Sequence, residues 1–379
     1  MIKQTTAMIA LRLWIKVGIF AIVGASSCSK QQQDVLVIPD QYDGASFTSQ
    51  VDPALRNQLT LLVNEMKRGR IVDTVLLFSA LQALYNPPGL PSLSKSVTPY
   101  YNSRIAAPDN GFLFIMARAS GSVYSPGLPQ GSGGVFGGYL FDETGLEMEQ
   151  LVEKGLLSAA MFREFNQLAL GNITEATVDQ MVSVYGAHPD FPNSFQANIH
   201  VNPDVFSANY AARRDKNDGT GFYTRIRDQF IRLQAAVRGG TAYNIDRDAA
   251  IAEIRLLWEK STAATIIHYV QVATSKLSNT NPTVADQAAA LHALSEAIGF
   301  LHGFRTVQPK VIQDADIDNL LNLMNAPWNA TSAPYLFVTN PVQELPKLDQ
   351  ATERIANIYG FTPAEVDAFR QNWVLVQNR

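Results

Sequence analysis

Cysteine is nearly missing from this chain: Cys28 is the only one among 379 residues. No disulfide framework can therefore hold the fold together, whatever the redox state of its surroundings. Charge is sparse as well, at 17% of residues, and the formal net charge is −4. That balance excludes a nucleic-acid binder working by phosphate neutralisation. Strand-like alternation is almost absent, with residues 112–116 and 335–338 the only short candidates. Several catalytic signatures are missing too. There is no His-Glu-x-x-His zinc-protease pattern and no nucleophile elbow. The glycine-rich run at 127–138, GLPQGSGGVFGG, lacks the Gly-Lys-Ser/Thr ending of a phosphate loop and the spacing of a dinucleotide fingerprint, so it reads as a structural loop.

What is present is apolar: 46% of the residues are hydrophobic, enough for a large core in one big domain or two smaller ones. The first 33 residues contain no Asp or Glu. Lys3, Arg12 and Lys16 precede an apolar run at 17–24, which ends in Ala25, Ser26, Ser27 and Cys28. A basic segment, a short apolar segment and small residues make a secretory signal, too short to span a bilayer comfortably. Cys28 stands where cleavage would make it the mature N-terminus, as in a bacterial lipobox, with Ala25 in place of a larger aliphatic residue. The alternative is an ordinary secreted protein with a cysteine inside its signal. Lipidation at Cys28 would anchor the chain to a membrane, since each buried acyl methylene contributes about 0.8 kcal/mol. Residues 1–27 are thus expected to be leader and 28–50 a tether.

From 51 onward the chain reads as a single all-α domain of roughly ten helices arranged as an array or bundle, with long irregular loops, the longest at 86–142. Asp52-Pro53 starts a helix and Gly69 ends it. Residues 71–85, 146–170, 174–185, 204–214 and 221–238 carry helical spacing. Asp314, Asp316 and Asp318 suit the start of a helix, and Thr362-Pro363-Ala364-Glu365 is a capping box.

Residues 246–276 and 282–304 form the centre of this pattern, two long helices joined by 277–281 and expected to fold back as an antiparallel hairpin. At about 100° per residue, His292, Glu296, Gly299 and Gly303 fall within roughly 60° of one another. Leu291, Leu294, Ile298 and Leu301 make an apolar face, and Ala289, Ala293 and Ala297 a small one. A helix with so little charge is packed on most sides, which places His292 and Glu296 in the interior or a cleft. One turn apart, they could supply two ligands to a metal, or a base with its orienting acid. They could equally be a buried pair that stabilises packing, beside glycines that admit another helix. His268 is the nearest candidate for a further ligand: folding the hairpin about Asn279 leaves it only ~3 Å from the level of His292 along the axis. The basic stretch 210–238 is interleaved with Asp215, Asp218 and Asp228, the pattern of a solvated face, although it leaves an anion site open. Residues 215–221 resemble a calcium loop only loosely.

Four segments together resemble a known family: EQLVEKGLLSA (149–159), YGAHPDFPN (185–193), WEKSTAATIIHYV (258–270) and HALSEAIGF (292–300). They look like the domain of unknown function 4856, lipoproteins of Bacteroidota that are distantly similar to imelysin-type proteins. The resemblance implies an all-helical fold on the outer membrane, facing the periplasm or the cell surface. It also implies a connection with iron or haem acquisition. Two departures matter. Imelysins carry Gly-x-His-x-x-Glu, whereas His292 and Glu296 are four apart. Ahead of the Asp-Phe-Pro loop the family pattern His-Trp-Asp-Glu is here Thr177, Val178, Asp179 and Gln180, so only the Asp is kept and any site built there is weakened.

The expectation from sequence is a lipid-anchored, non-catalytic binding or accessory protein, with iron, haem or zinc as the ligands His292, Glu296 and His268 could serve. A metallopeptidase of imelysin type is the alternative, and a structural accessory subunit of an outer-membrane transporter a third reading.

Overall fold

The computed structural model describes residues 35–45, 47, 53–88, 92–127 and 131–379. Cys28, the leader at 1–27 and the first part of the tether lie outside the described residues. Among the described residues the fold is all-α with one two-stranded hairpin. Among the described residues no helix is long and apolar enough to cross a membrane.

The centre is the expected hairpin. Asn244–Leu277 and Val284–Gly303 pack along each other, and Lys276 Nζ meets Asp286 at 2.8 Å beside the turn. The second helix starts on a capping box, with Thr283 and Asp286 satisfying each other's backbone N–H groups. Trp258 is fully buried in a ring of Phe162, Phe165 and Tyr185, with ring centroids 4.9 to 5.7 Å away. Phe222–Gly239 flanks the first hairpin helix, while Met148–Leu156 crosses the second.

That crossing explains the glycine stripe. A Cβ at Gly299 would lie 2.5 Å from Gln150 O, and one at Gly303 would lie 2.3 Å from Gly155 O. Real Cβ atoms do not come so near to backbone, so these two positions exist to let the helices touch. The crossing helix continues into a π-helical stretch, Leu157–Phe162, before Arg163–Leu168 resumes the α-helix. A π-turn misaligns carbonyls with their usual donors. Here Ala159 O accepts from Thr98 N at 3.1 Å, tying the break to the segment that begins helix Pro99–Ala106.

Three expectations need correction. Residues 112–116 are helical, within Phe112–Ala119, and 336–338 lie in the short helix Leu336–Thr339. A short apolar run has the same composition in a buried helix as in a buried strand, so the period was unreadable there. The strands instead come from the glycine-rich run: Gly133–Phe136 pairs antiparallel with Tyr139–Asp142. The 86–142 segment is accordingly more ordered than a loop, with Pro99–Ala106 begun by the Thr98 cap and Phe112–Ala119 buried on one side. Finally, only Phe78–Tyr85 of the stretch 71–85 is helical.

Candidate functional site

His292 sits on the second hairpin helix where the β-hairpin and the crossing helix converge. The hairpin ends at Asp142, whose carboxylate accepts from Thr144 N, Thr144 Oγ1 and Leu146 N at 2.7 to 2.9 Å. That tight turn delivers Glu147 to the start of helix Met148–Leu156. Glu147 occupies the N-cap position, yet its side chain does not cap. Its N–H donates to Ser295 Oγ at 3.0 Å, and its carboxylate reaches into the core.

There Glu147 Oε2 accepts from His292 Nδ1 at 2.5 Å, and Glu147 Oε1 lies 2.8 Å from Arg70. His292 Nε2 lies 3.5 Å from Glu296 Oε2. Glu296 in turn meets Lys154 Nζ at 3.3 Å, and Lys154 meets Glu153 at 3.0 Å. Arg70 also reaches Glu149 at 2.8 Å, with Lys67 at 4.0 Å. Tyr139 stacks on the His292 imidazole, 4.3 Å between centroids, and closes the cluster outward. Glu147 and Glu149 have no exposed side-chain surface.

Four carboxylates thus face Arg70, Lys154, Lys67 and His292, and the charges balance when the imidazole is protonated. Burial works against that proton, but the hydrogen bond and charge of Glu147, with the charge of Glu296, outweigh it and raise the His292 pKa. Burial, with the Glu147 charge beside it, pushes the Glu149 carboxyl up to about 7. Lys154 is held charged, its desolvation overcome by Glu153, Tyr210 and Glu296.

The structure therefore brings His292 and Glu296 together as the spacing required, and adds Glu147. It does not bring in His268. That ring faces the other way, with Nδ1 3.0 Å from Phe369 O, and burial beside Arg214 lowers its pKa to about 3. Its rotation on the helix is set by that carbonyl. Arg70 and Lys154 already sit against the carboxylate oxygens that a metal would need. Among the described residues no three of His, Cys, Asp or Glu are placed to hold a metal ion. The donor set as folded does not fit iron or zinc.

Asp179, the one match to the family pattern ahead of the Asp-Phe-Pro loop, is buried and accepts from Tyr42 Oη at 2.5 Å. Thr177 caps its own helix through Thr174.

The C-terminal end of the second hairpin helix, Val284–Gly303, opens on a cleft that the polar stripe did not announce. Its volume is about 650 Å³, and it lies between Phe112–Ala119 and the loop 326–332. The floor is apolar, with Phe112, Met148 and Ile298 all buried. His302 forms part of the wall, its Nε2 2.6 Å from Tyr100 Oη. Burial, reinforced by Arg104 and Arg305, lowers the His302 pKa to about 3, so the ring is neutral. Arg104 lies 5.7 Å from the Phe112 ring, and its buried Nε has no hydrogen-bond partner. Trp328 forms the lip, half-buried, with the Arg305 guanidinium 4.1 Å from its ring centre.

No curated protein and no solved structure matches the chain. One family model does match, described as a domain of unknown function (DUF4856), over residues 184–362. That span holds both hairpin helices, hence His268, His292, Glu296 and His302, and three of the four resembling segments. Arg70, Glu147 and Lys154 lie outside it. The family shown is therefore that of the domain of unknown function 4856, matched over residues 184–362, just under half of the chain.

Proposed function

We propose that this chain is a non-catalytic binding protein, held at the outer membrane by a lipid on Cys28, with its ligand seated in the His302 cleft. The observation that carries the reading is the cleft's construction. A buried apolar floor lies beneath an indole lip, with Arg104 half-exposed at one side. Apolar surface of this kind, with a few convergent polar groups, is what small-molecule sites use. A ligand with a flat apolar body and a hydrogen-bonding or anionic edge suits both halves. The His292 cluster supports the site from behind: its ions compensate one another and fix the crossing helix that supplies Met148 and Leu151 to the cleft.

The connection with iron or haem uptake rests on the family resemblance and has its own test. Protein purified from its native host is analysed for metals, for an absorbance band and, by native mass spectrometry, for retained small molecules. The reading expects a retained ligand that Trp328→Ala and Arg104→Ala each release, while the His292 signals stay unchanged. Identical retention by both variants would place the ligand elsewhere. For the anchor, Cys28→Ala should leave the protein unprocessed or released into the periplasm. A processed variant bound to membrane as firmly as the parent would remove the lipid from the model.

A further inference from the structure

A second cavity, of about 200 Å³, lies between the loop after helix Phe206–Arg214 and the short helix Pro363–Ala368. Arg214 lines it and is only 6% exposed. A buried guanidinium ordinarily comes with a carboxylate, because an uncompensated charge in the interior is costly. Arg213, next in sequence, takes Asn209 Oδ1 at 2.9 Å and the Tyr210 ring in place of an acid, whereas the more exposed arginines of helix Phe222–Gly239 have acid partners. Arg225 pairs with Glu253 at 2.6 Å, Arg232 with Asp246 at 2.7 Å, and Arg238 with both Asp43 and Glu175 at 2.6 Å.

Arg214 has no acid partner among the described residues. Its Nη1 donates to Phe369 O, its Nε is buried without a hydrogen-bond partner, and no carboxylate is among the groups that set its charge state. Asp215, next in the chain, is turned away. Its carboxylate accepts from Asn217 N at 2.5 Å and Thr224 N at 2.8 Å, at the start of helix Phe222–Gly239. The two acids that line the cavity are also committed. Asp218 accepts from Thr220 N and Oγ1, and Glu365 from Thr362 N and Oγ1. His268 shares the Phe369 carbonyl with Arg214; a neutral ring donating there through Nδ1–H brings no negative charge. On the remaining side Lys216 adds a second cation, its Nζ 5.2 Å from the Trp373 ring centre.

We propose that this cavity is an oxyanion site, in which a phosphate or carboxylate head group supplies the counter-charge that the fold withholds from Arg214, with Lys216 closing over it. The direction of the Arg214 charge equilibrium agrees: burial, with Arg213 beside it, lowers its pKa to about 9. An oxyanion would reverse that shift. The site is separate from the His302 cleft, and its failure would leave the cleft reading untouched.

The test is thermal unfolding and titration calorimetry of the full chain with inorganic phosphate and, separately, sodium acetate, at constant ionic strength set with sodium chloride. A midpoint rise with either anion, saturating with its concentration, is expected; the anion giving the larger rise identifies the head group. Arg214→Met should weaken binding at least tenfold, and it should fold, because it removes a charge that lacks a partner. Lys216→Met, at the rim, should weaken binding at least threefold and covers the case in which Arg214→Met does not fold. No saturable rise with either anion overturns the proposal, as does a rise that both variants retain in full.

Discussion

Replacing Lys154 by methionine takes one charge out of a cluster in which every ion is spoken for. The side chain is 5% exposed and holds Glu153 at 3.0 Å and Glu296 at 3.3 Å. Methionine keeps most of the stem but loses the ammonium that lies 5.3 Å from the Tyr210 ring centre, and it leaves Glu296 with His292 alone, 3.5 Å away. Removing one partner of a buried ion pair costs about 3–5 kcal/mol, against a total stability of roughly 5–15 kcal/mol for a domain. Glu296→Gln is milder, because Lys154 retains Glu153, and the loss of a hydrogen bond to a charged group is about 1.5–3 kcal/mol. The double variant is the informative one. With Glu296 neutral, Lys154→Met no longer strands that carboxylate, so the pair should cost less than the sum by about 0.5–3 kcal/mol. Urea unfolding of the four proteins at pH 7, with the slope held common, measures all three terms. If Lys154→Met costs under about 1 kcal/mol and the two changes add, the cluster is solvent-screened and the account of the site given above fails.

Three further outcomes follow from the same geometry. Gly303→Ala should destabilise: alanine gains about 1 kcal/mol in helix propensity, but its Cβ would stand 2.3 Å from Gly155 O; a raised melting temperature would show that the crossing can spread at no cost. Nuclear magnetic resonance of the imidazoles should separate the histidines, with His268 and His302 still neutral at pH 5 and His292 still protonated above pH 6.5. The stability that His292 contributes is then complete below its unfolded pKa and lost as pH rises through the folded one, and a His292 that titrates below 6.5 contradicts the short bond to Glu147. Burial raises the Asp204 carboxyl to about 7, outweighing its bonds from Tyr223 and Ser194. The folded state therefore binds that proton more tightly, so stability falls between about pH 4 and 7 and Asp204→Asn should flatten that slope; an unchanged slope would mean the carboxyl is solvated.

The parts of the fold that were legible are those whose information is local. The 244–277 and 284–303 helices carry their own apolar period and caps, and four residues within one helix must be one turn apart, so the His292–Glu296 pair could be read. What completes the pair could not. Glu147 is 145 residues away in sequence, and it stands in a segment whose charges, Glu149, Glu153 and Lys154 among them, have the spacing of a solvated helix face. The segment is buried because Gly299 and Gly303 admit it against the hairpin, and a glycine pair names no partner. His268 shows the converse: axial level follows from counting residues, whereas rotation depends on contacts with Phe369 and Arg214 that come from distant segments.

The same limit governs where a ligand can be sought. Sequence drew attention to His292 because it is a rare residue in an apolar helix, and such rarity marks a buried charge without saying whether the fold already compensates it. At His292 the compensation is complete: each neighbouring carboxylate has its cation, and a ligand would have to displace one. At Arg104 and Arg214 it is not: the Arg70 Nε lies 2.8 Å from Glu149, whereas the buried Nε of these two has neither hydrogen bond nor ion pair among the described residues, and each borders open volume. The 210–238 stretch looked like a solvated face because most of its arginines are indeed paired with acids. Arg214 looks the same in sequence and differs only in what surrounds it. For a buried charge the energetically relevant quantity is the partner it lacks, and that becomes visible only once the chain is folded. Binding is therefore expected at the uncompensated arginines rather than at the residues that looked most like ligands.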